Sequence, residues 1–134
     1  MQQRLTQELT GFLSALSEEK RIEAINEFRK AIHSVSPFRE EPVDCVLWVK
    51  NDHISPNDYN PNNVAPPEKK LLLKSIEADG FTQPIVVVES SSEEYEIVDG
   101  FHRHELGKNK ASLKPRLKGY LPITCLERDR HERM

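Results

Sequence analysis

Residues 95–107, Tyr-Glu-Ile-Val-Asp-Gly-Phe-His-Arg-His-Glu-Leu-Gly, constrain the fold and chemistry of this chain more than any other segment. The apolar pattern at 95–98 predicts a strand. Asp99 and Gly100 then predict a turn into a short helix that ends near Lys108. Because glycine has no side chain, the backbone can bend sharply at Gly100 and approach a ligand closely.

The predicted helix start has the features of an anion pocket. Its first N–H groups lack intrahelical acceptors, and the helix dipole adds partial positive charge. The side chains that follow Gly100 line the turn or supply further donors: Phe101, His102, Arg103 and His104. Phosphate is the predicted anion, because helix starts and guanidinium groups both bind it well.

These side chains also have structural interpretations. Arg103 could form an ion pair with a loop acid such as Asp58. His102 could support the fold through hydrogen bonds. His104 is the weaker phosphate candidate, because it projects about 200° around the helix from His102. Asp99 could hold magnesium or orient an imidazole, or it could cap the helix behind it.

The charge of the chain is uneven. The formal net charge is 19 − 22 = −3, which argues against a protein that coats nucleic acid with its whole surface. Residues 102–134, however, contain nine Lys/Arg against four Asp/Glu. This basic part suits a phosphate-bearing partner, although a plain solvated face is the alternative.

Cysteine spacing and hydropathy exclude several classes of protein. Cys45 and Cys125 lie far apart in apolar runs and show no metal-ligand spacing, so we expect buried apolar residues in strands rather than a disulfide. No apolar stretch approaches the ~20 residues of a membrane span, and the polar N-terminus does not resemble a signal peptide. The sequence predicts a cytoplasmic protein without a membrane segment or a resident metal.

The chain divides into three predicted parts. Residues 1–38 should form a helical hairpin, because apolar residues recur at spacings of three and four in two runs, and Ser17 can cap the second helix. The hairpin is expected to pack on the main domain or on another copy of the chain. The main domain is predicted at 43–127. The charged tail at 128–134 forms no capped element and suggests a truncated chain.

Within residues 43–127 the pattern predicts alternating strands and helices, with Trp48 in the core. The predicted elements are a strand at Val43–Val49, a polar loop at Ser55–Asn63, a helix at Pro66–Asp79 capped by Gly80, a strand at Pro84–Val88, a turn at Ser90–Ser92, a strand at Glu94–Val98, the Gly100 turn with its helix, a basic stretch at Lys110–Lys118 and a strand at Leu121–Leu126. Gly107 is expected to ease packing near the helix end.

Two motifs, Gly-Phe-Thr-Gln-Pro-Ile at 80–85 and Asp-Gly-Phe-His-Arg-His at 99–104, resemble those of the ParB/sulfiredoxin superfamily. The resemblance covers roughly residues 43–127. It implies an α+β fold, with a small mixed sheet flanked by helices, to which the N-terminal hairpin is added. Within the superfamily the chain is most similar to ParB-like regulators typified by the immunoglobulin-binding regulator IbrB.

The resemblance to ParB implies a nucleotide site. In ParB partition proteins a Gly-Glu-Arg-Arg-x-Arg run cradles the phosphates of a cytidine nucleotide with magnesium. Gly100, His102 and Arg103 match its glycine and first two arginines, whereas Glu105 falls where the third arginine would sit. A carboxylate in place of a guanidinium removes one hydrogen-bond donor to phosphate. It implies weaker triphosphate binding or a smaller phosphate ligand. A later Glu-Asn motif that helps hold magnesium in the family has no counterpart in this chain.

A second segment of the site is implied in the same way. The stretch Thr82, Gln83 and Pro84 corresponds to one that lines the ParB nucleotide pocket, where Thr82 or Gln83 could bond a base or sugar. The loop at 57–63 could close over the pocket with Tyr59 stacked on a base, or it could be an ordinary connection.

The family comparison also separates binding from catalysis. Sulfiredoxins carry a nucleophilic cysteine where this chain has Phe101, so the resemblance excludes that activity. Free serine kinases share the scaffold and need a carboxylate base, for which Glu105, Asp99 and Asp58 are the candidates. A nuclease would need an acidic cluster for two metals, which the sequence does not suggest.

The leading hypothesis is therefore a ParB-like regulatory module that binds a nucleoside triphosphate with Mg²⁺. It would act in gene regulation or DNA-associated processes through partners, with assembly, as a homodimer for example, through the hairpin. No helix-turn-helix segment follows the domain, so DNA contact would need a partner or a missing C-terminal segment. The alternative is a slow nucleotide hydrolase or a small-molecule kinase that uses the same Gly-x-x-Arg pocket.

Overall fold

The computed structural model of this chain describes residues 1–56 and 66–127. Contacts divide the chain into two compact units, Met1–Cys45 and Val46–Met134. Among the described residues we find no helix with the length and apolar character needed to span a membrane.

The first unit contains the two predicted helices, α1 at Gln2–Ser14 and α2 at Glu18–Ser34. Ser17 caps α2 as predicted, since its hydroxyl accepts a hydrogen bond from the backbone N–H of Lys20. The helices contact each other through an edge-to-face aromatic pair, with the ring centroids of Phe12 and Phe28 6.2 Å apart. Neither helix contains a buried residue.

The predicted strand at Val43–Val49 is wrong in its first half. Pro42–Asp44 forms a 3-10 turn and leaves Val43 67% exposed. The first strand, β1, spans Leu47–Lys50 and lies at an edge of the sheet, where it is only half-buried. Apolar composition alone does not distinguish an apolar turn from a strand, and this explains the error.

Two further expectations for this region need correction. Trp48 is half-buried rather than in the core, because alternate residues of a strand face opposite sides and its neighbours Leu47 and Val49 pack on the core cluster. Cys45 lies outside any strand, whereas Cys125 does end one; both are half-buried free thiols.

The second unit carries the remaining elements. After β1 come a 3-10 turn at Asn51–His53, β2 at Ile54–Ser55, α3 at Pro66–Asp79, β3 at Ile85–Ser91, β4 at Glu94–Asp99, α4 at Phe101–Asn109, α5 at Lys114–Leu117 and β5 at Tyr120–Cys125. The bounds of α3 agree with the prediction, and Gly80 ends it with a left-handed φ of +80°. The short elements β2 and α5 were not predicted.

The five strands form one mixed sheet in the order β1-β5-β3-β4-β2. The β1–β5 and β3–β4 pairs are antiparallel, whereas the β3–β5 and β2–β4 pairs are parallel. β3 extends to Ser91, so the turn to β4 begins two residues later than predicted, at Ser92 and Glu93. The predicted α+β class with a small mixed sheet and flanking helices is confirmed.

Two apolar clusters hold the second unit together. The larger lies on the sheet and contains Ile54, Ile85, Val87, Ile97, Leu121 and Ile123. The smaller joins α3 to α4 and the segment before α5 through Ile76, Leu106 and Leu113, with Leu72 and Leu73 packed against it. Phe81 and Leu117 pack on both clusters and so connect the helical cluster of α3 and α4 to the sheet.

Two half-buried histidines, His33 and His53, have specific partners. His33 Nδ1 lies 2.7 Å from Asp44 Oδ2, which joins the end of α2 to the 3-10 turn and lowers the pKa of the Asp44 carboxyl. His53 Nδ1 lies 2.8 Å from the carbonyl oxygen of Glu93 at the β3–β4 turn.

Candidate functional site

The turn between β4 and α4 has the backbone geometry that the sequence predicted. Gly100 is the N-cap of α4 with φ +100° and ψ 28°, in the left-handed region that favours glycine. A Cβ at this position would lie 3.3 Å from the Ile85 Cα and 3.5 Å from an Arg103 guanidinium nitrogen. Gly100 has no side chain, so the N-cap residue itself makes no side-chain hydrogen bond to the start of α4.

The structure tests whether Asp99 caps the helix behind it. Asp99 is the last residue of β4, opposite Val86 in the strand register, and it is exposed. The capping alternative is wrong, because Gly100 occupies the N-cap position and α4 has no side-chain cap. An exposed carboxylate therefore lies one residue before the turn.

Arg103 brings the two sequence motifs together. Its guanidinium Nη2 donates a hydrogen bond to Gln83 Oε1 across 20 positions of sequence. Thr82 and Gln83 are exposed and Pro84 is half-buried, so this loop stands beside the first turn of α4 with its polar atoms accessible. The alternative partner of Arg103, Asp58, lies outside the described residues.

The other residues of the first turn are only partly accessible. Phe101 packs against the sheet cluster, and His102 and Arg103 are half-buried. His104 is 6% exposed, and its Nε2 has no hydrogen-bond partner among the residues that the structure describes. This burial favours the interpretation of His104 as a residue of the interior over that of a phosphate donor.

The burial of His104 predicts a pH dependence of stability. Desolvation, with the nearby charge of Lys108, lowers the pKa of His104 below its ordinary 6.5. The unfolded chain therefore takes up a proton near pH 6.5 that the folded chain does not bind, so the free energy of unfolding should fall as the pH drops from 7 towards the lowered pKa. Urea unfolding at several pH values measures this. The decline should be smaller in His104→Leu, and an equal decline in both proteins would contradict the assignment.

Glu105 has a partner that the sequence did not predict. Lys69, in the first turn of α3, forms an ion pair with Glu105 Oε1, and both side chains are about one third exposed or less. The acid that stands in the place of an arginine is therefore neutralised by an ammonium from another helix. No local signal marks Lys69, because the two residues lie 36 positions apart.

The basic stretch before β5 is partly engaged with α3. Arg116 donates to the Glu77 carbonyl oxygen at 2.9 Å, and Ser112 donates to a Glu77 carboxylate oxygen at 2.6 Å. Lys114 and Lys118 are exposed. The hydrogen bonds to Glu77 connect α5 and the segment before it to α3. The charges of Lys114 and Lys118 lie at the surface.

Several expectations lie outside the described residues, namely the loop 57–63 with Asp58 and Tyr59 and the tail 128–134. Within the described ranges no group of three or more His, Cys, Asp or Glu side chains is placed to hold a metal. Neither free thiol lies at the α4 start, and burial raises the pKa of the Cys125 thiol.

The chain belongs to the ParB N-terminal domain family, whose model matches residues 38–114. The predicted superfamily membership is thereby confirmed, and the similarity to IbrB-type regulators stays a prediction.

Among curated relatives, the chain is 73% identical over 134 residues to the uncharacterized protein YbdM of Escherichia coli (strain K12), a match to all of this chain and 64% of that protein. It is 39% identical over 66 residues to a nucleoid occlusion protein of Oceanobacillus iheyensis, covering 48% of this chain and 23% of that one. The chain thus spans less than two thirds of the length of these relatives.

Two solved structures are similar in fold. The first is a C-terminally truncated chromosome-partitioning protein ParB from Caulobacter crescentus complexed with CTP-gamma-S, with a TM-score of 0.46 and 23% identity over 64% of this chain and 46% of that one. The second is sulfiredoxin from Arabidopsis thaliana, with a TM-score of 0.45 and 20% identity over 65% of this chain and 90% of that one.

Proposed function

We propose that this chain is a nucleotide- and phosphate-binding regulatory module. The turn at Gly100 and the guanidinium of Arg103 take the phosphates, and Thr82 and Gln83 contact the base or sugar. The observation that carries the proposal is the Arg103–Gln83 hydrogen bond beside a left-handed glycine at a helix start. It brings the donor, the backbone amides and the polar loop to one place, as phosphate recognition requires.

The residues present fit a nucleoside triphosphate that arrives with its own magnesium. Mg²⁺ is usually held by one or two carboxylates together with substrate phosphates and water. Asp99 is an exposed carboxylate next to the phosphate turn and could supply one such ligand. The described residues form no larger metal cage, so the ion would depend on the nucleotide.

The regulatory role is proposed to involve DNA-associated processes and protein partners in the cytoplasm. The 39% identity to part of a nucleoid occlusion protein supports this setting. Exposed basic side chains such as Lys114 and Lys118 support contact with a phosphate-bearing partner, with DNA reached through another protein or a further segment.

Calorimetric titration tests the proposal. The full chain is titrated with nucleoside di- and triphosphates of each base, with and without Mg²⁺, and with inorganic phosphate. We expect saturable binding that strengthens with magnesium and with the number of phosphates. Absence of binding for every nucleotide at millimolar concentration would overturn the proposal.

The Lys69–Glu105 pair should set the affinity of the site. In Glu105→Gln the ammonium of Lys69 is released and a negative charge near the phosphates is lost, so nucleotide binding should tighten about two- to fivefold, the range of a partly exposed ion pair. Lys69→Ala should weaken binding. Calorimetry measures both.

The matched control is Lys108→Ala, which removes a lysine of α4 that pairs with Asp52 at 3.8 Å. Weaker binding in Glu105→Gln, or equal losses in the Lys69 and Lys108 variants, would show that the Lys69–Glu105 pair lies apart from the ligand.

A phosphoryl-transfer enzyme is the alternative, and the position of Asp99 favours it. Asp99 is an exposed carboxylate one residue before the turn, whereas Glu105 is engaged with Lys69. A general base must reach the proton that it removes, so Asp99 is the better candidate. Fast phosphoryl transfer to an added acceptor that is lost in Asp99→Asn, with nucleotide binding retained, would favour the enzyme over the binding module.

A further inference from the structure

Exposed apolar side chains are concentrated in the first unit. Among the described residues, ten large hydrophobic side chains are exposed, and eight of them belong to Met1–Cys45, which is about one third of the chain. Scattered exposed apolar residues are ordinary, whereas a contiguous group marks an interaction surface. Most of these residues precede residue 38, where the match to the family begins, so the nucleotide site does not account for them.

Five of these side chains lie on the two helix faces that meet at the contact between Phe12 and Phe28, and we call them the hairpin stripe. Leu5 and Phe12 are seven positions apart on α1 and share a face. Phe28 and Ile32 share a face of α2 at a spacing of four, and Val35 follows three positions later as the C-cap residue. The contact between Phe12 and Phe28 joins the two faces. The five side chains are 58%, 54%, 37%, 63% and 80% exposed in chain order.

The first unit has no core of its own. Neither α1 nor α2 contains a buried residue, although both are regular helices of 13 and 17 residues. Units of this size rarely bury enough apolar surface alone and usually need oligomerisation, a metal or a disulfide. Its cysteine is a free thiol, and no metal-binding group was found among the described residues. Association with another apolar surface would supply burial that the two helices lack.

We propose that the hairpin stripe is covered by the same stripe of a second copy of this chain, giving a two-fold dimer built on four helices. An apolar stripe is self-complementary, as a two-fold interface requires. The unit carries six basic and eight acidic residues, so its net charge of −2 opposes self-association only weakly.

The charges of α2 are arranged in a way that suits this pairing. Residues 18–27 contain four glutamates against two basic residues, whereas residues 28–34 contain Arg29 and Lys30 and no acid. Two α2 helices that cross antiparallel place the acidic half of each against the basic half of the other. Such complementarity fixes the orientation of the partners.

Light scattering after gel filtration and sedimentation equilibrium test the proposal on the full chain. The parent protein should be a dimer at micromolar concentration. Phe12→Glu and Ile32→Glu each place a charge on the stripe of both copies. Each should raise the dissociation constant of the dimer at least tenfold. Leu71→Glu is the matched control, because Leu71 is 68% exposed on α3 outside the stripe; it should stay dimeric.

The outcomes are distinguishable. A parent protein that is monomeric up to about 100 µM, a concentration that detects even weak pairs, would overturn the proposal and indicate that another surface covers the stripe. Dissociation of the Leu71→Glu variant to the same extent would also overturn it. Since a glutamate could unfold the hairpin, Ile32→Gln with circular dichroism serves as the second variant: retained helix with a weaker dimer supports the proposal, and an unchanged dimer contradicts it.

Discussion

Replacing Arg103 by alanine should weaken nucleotide binding about 10- to 100-fold. Hydrogen bonds to charged groups contribute about 1.5–3 kcal/mol, and each 1.4 kcal/mol is a factor of ten in affinity. Arg103 is a half-buried residue at the α4 start and its guanidinium is hydrogen-bonded to Gln83, so it is oriented before a ligand arrives. Calorimetric titration of the variant with a nucleoside triphosphate and Mg²⁺ measures the effect.

Two further variants serve as controls for Arg103→Ala. Arg103→Lys keeps the charge but loses the planar fork, so it should recover only part of the affinity. Arg116→Ala removes another guanidinium of the same unit, one that bonds the Glu77 carbonyl oxygen, and should bind nearly as well as the parent. If Arg103→Ala binds nucleotide like the parent, the phosphates bind elsewhere and the assignment of the site fails.

Gly107→Val should destabilise the second unit by about 1–3 kcal/mol, the usual cost of overpacking a core. Gly107 is buried in α4, and a Cβ there would lie 2.5 Å from Leu121 Cδ2 and 3.0 Å from Phe81 Cζ. Leu121 is fully buried in the sheet cluster and has little room to move. Urea unfolding followed by circular dichroism measures the loss.

The same substitution at Gly11 is the matched control. Gly11 also lies inside a helix, but nothing stands within 4 Å of a Cβ built there. Gly11→Val should therefore change stability by less than about 0.5 kcal/mol, as surface substitutions usually do. Equal unfolding midpoints for Gly107→Val and the parent would show that α4 can move away from the sheet at little cost.

The elements predicted correctly are those with strong local signals. Apolar periodicity located α1 and α2, and the side chain of Ser17 caps α2 as expected. Prolines at 66 and 67 and a glycine at 80 bounded α3. Helical periodicity, caps and breakers act within a few residues, so sequence alone can reveal them.

The errors occur where burial or pairing decides the structure. Val43 is apolar but lies in an exposed turn, and Trp48 faces away from the core cluster of its sheet. The two-residue strand β2 exists because Ile54 and Ser55 pair with β4. Such features depend on contacts with distant parts of the chain, which composition and periodicity do not encode.

For the candidate site the division is similar. The turn between β4 and α4 was evident from Gly100, because a left-handed glycine at a helix start is a local feature. The burial of His104 and the Lys69–Glu105 pair were not evident, since each depends on how α4 packs against the rest of the unit.

The amino-acid sequence by itself therefore determined α1 to α4, the turn at Gly100 and membership of a superfamily, because these depend on residues close together in the chain. The tertiary structure decided which side chains form hydrogen bonds and ion pairs near the start of α4. It joins Gln83 to Arg103 and Lys69 to Glu105 across 20 and 36 positions, and only the packing of α3, α4 and the sheet brings those side chains within bonding distance.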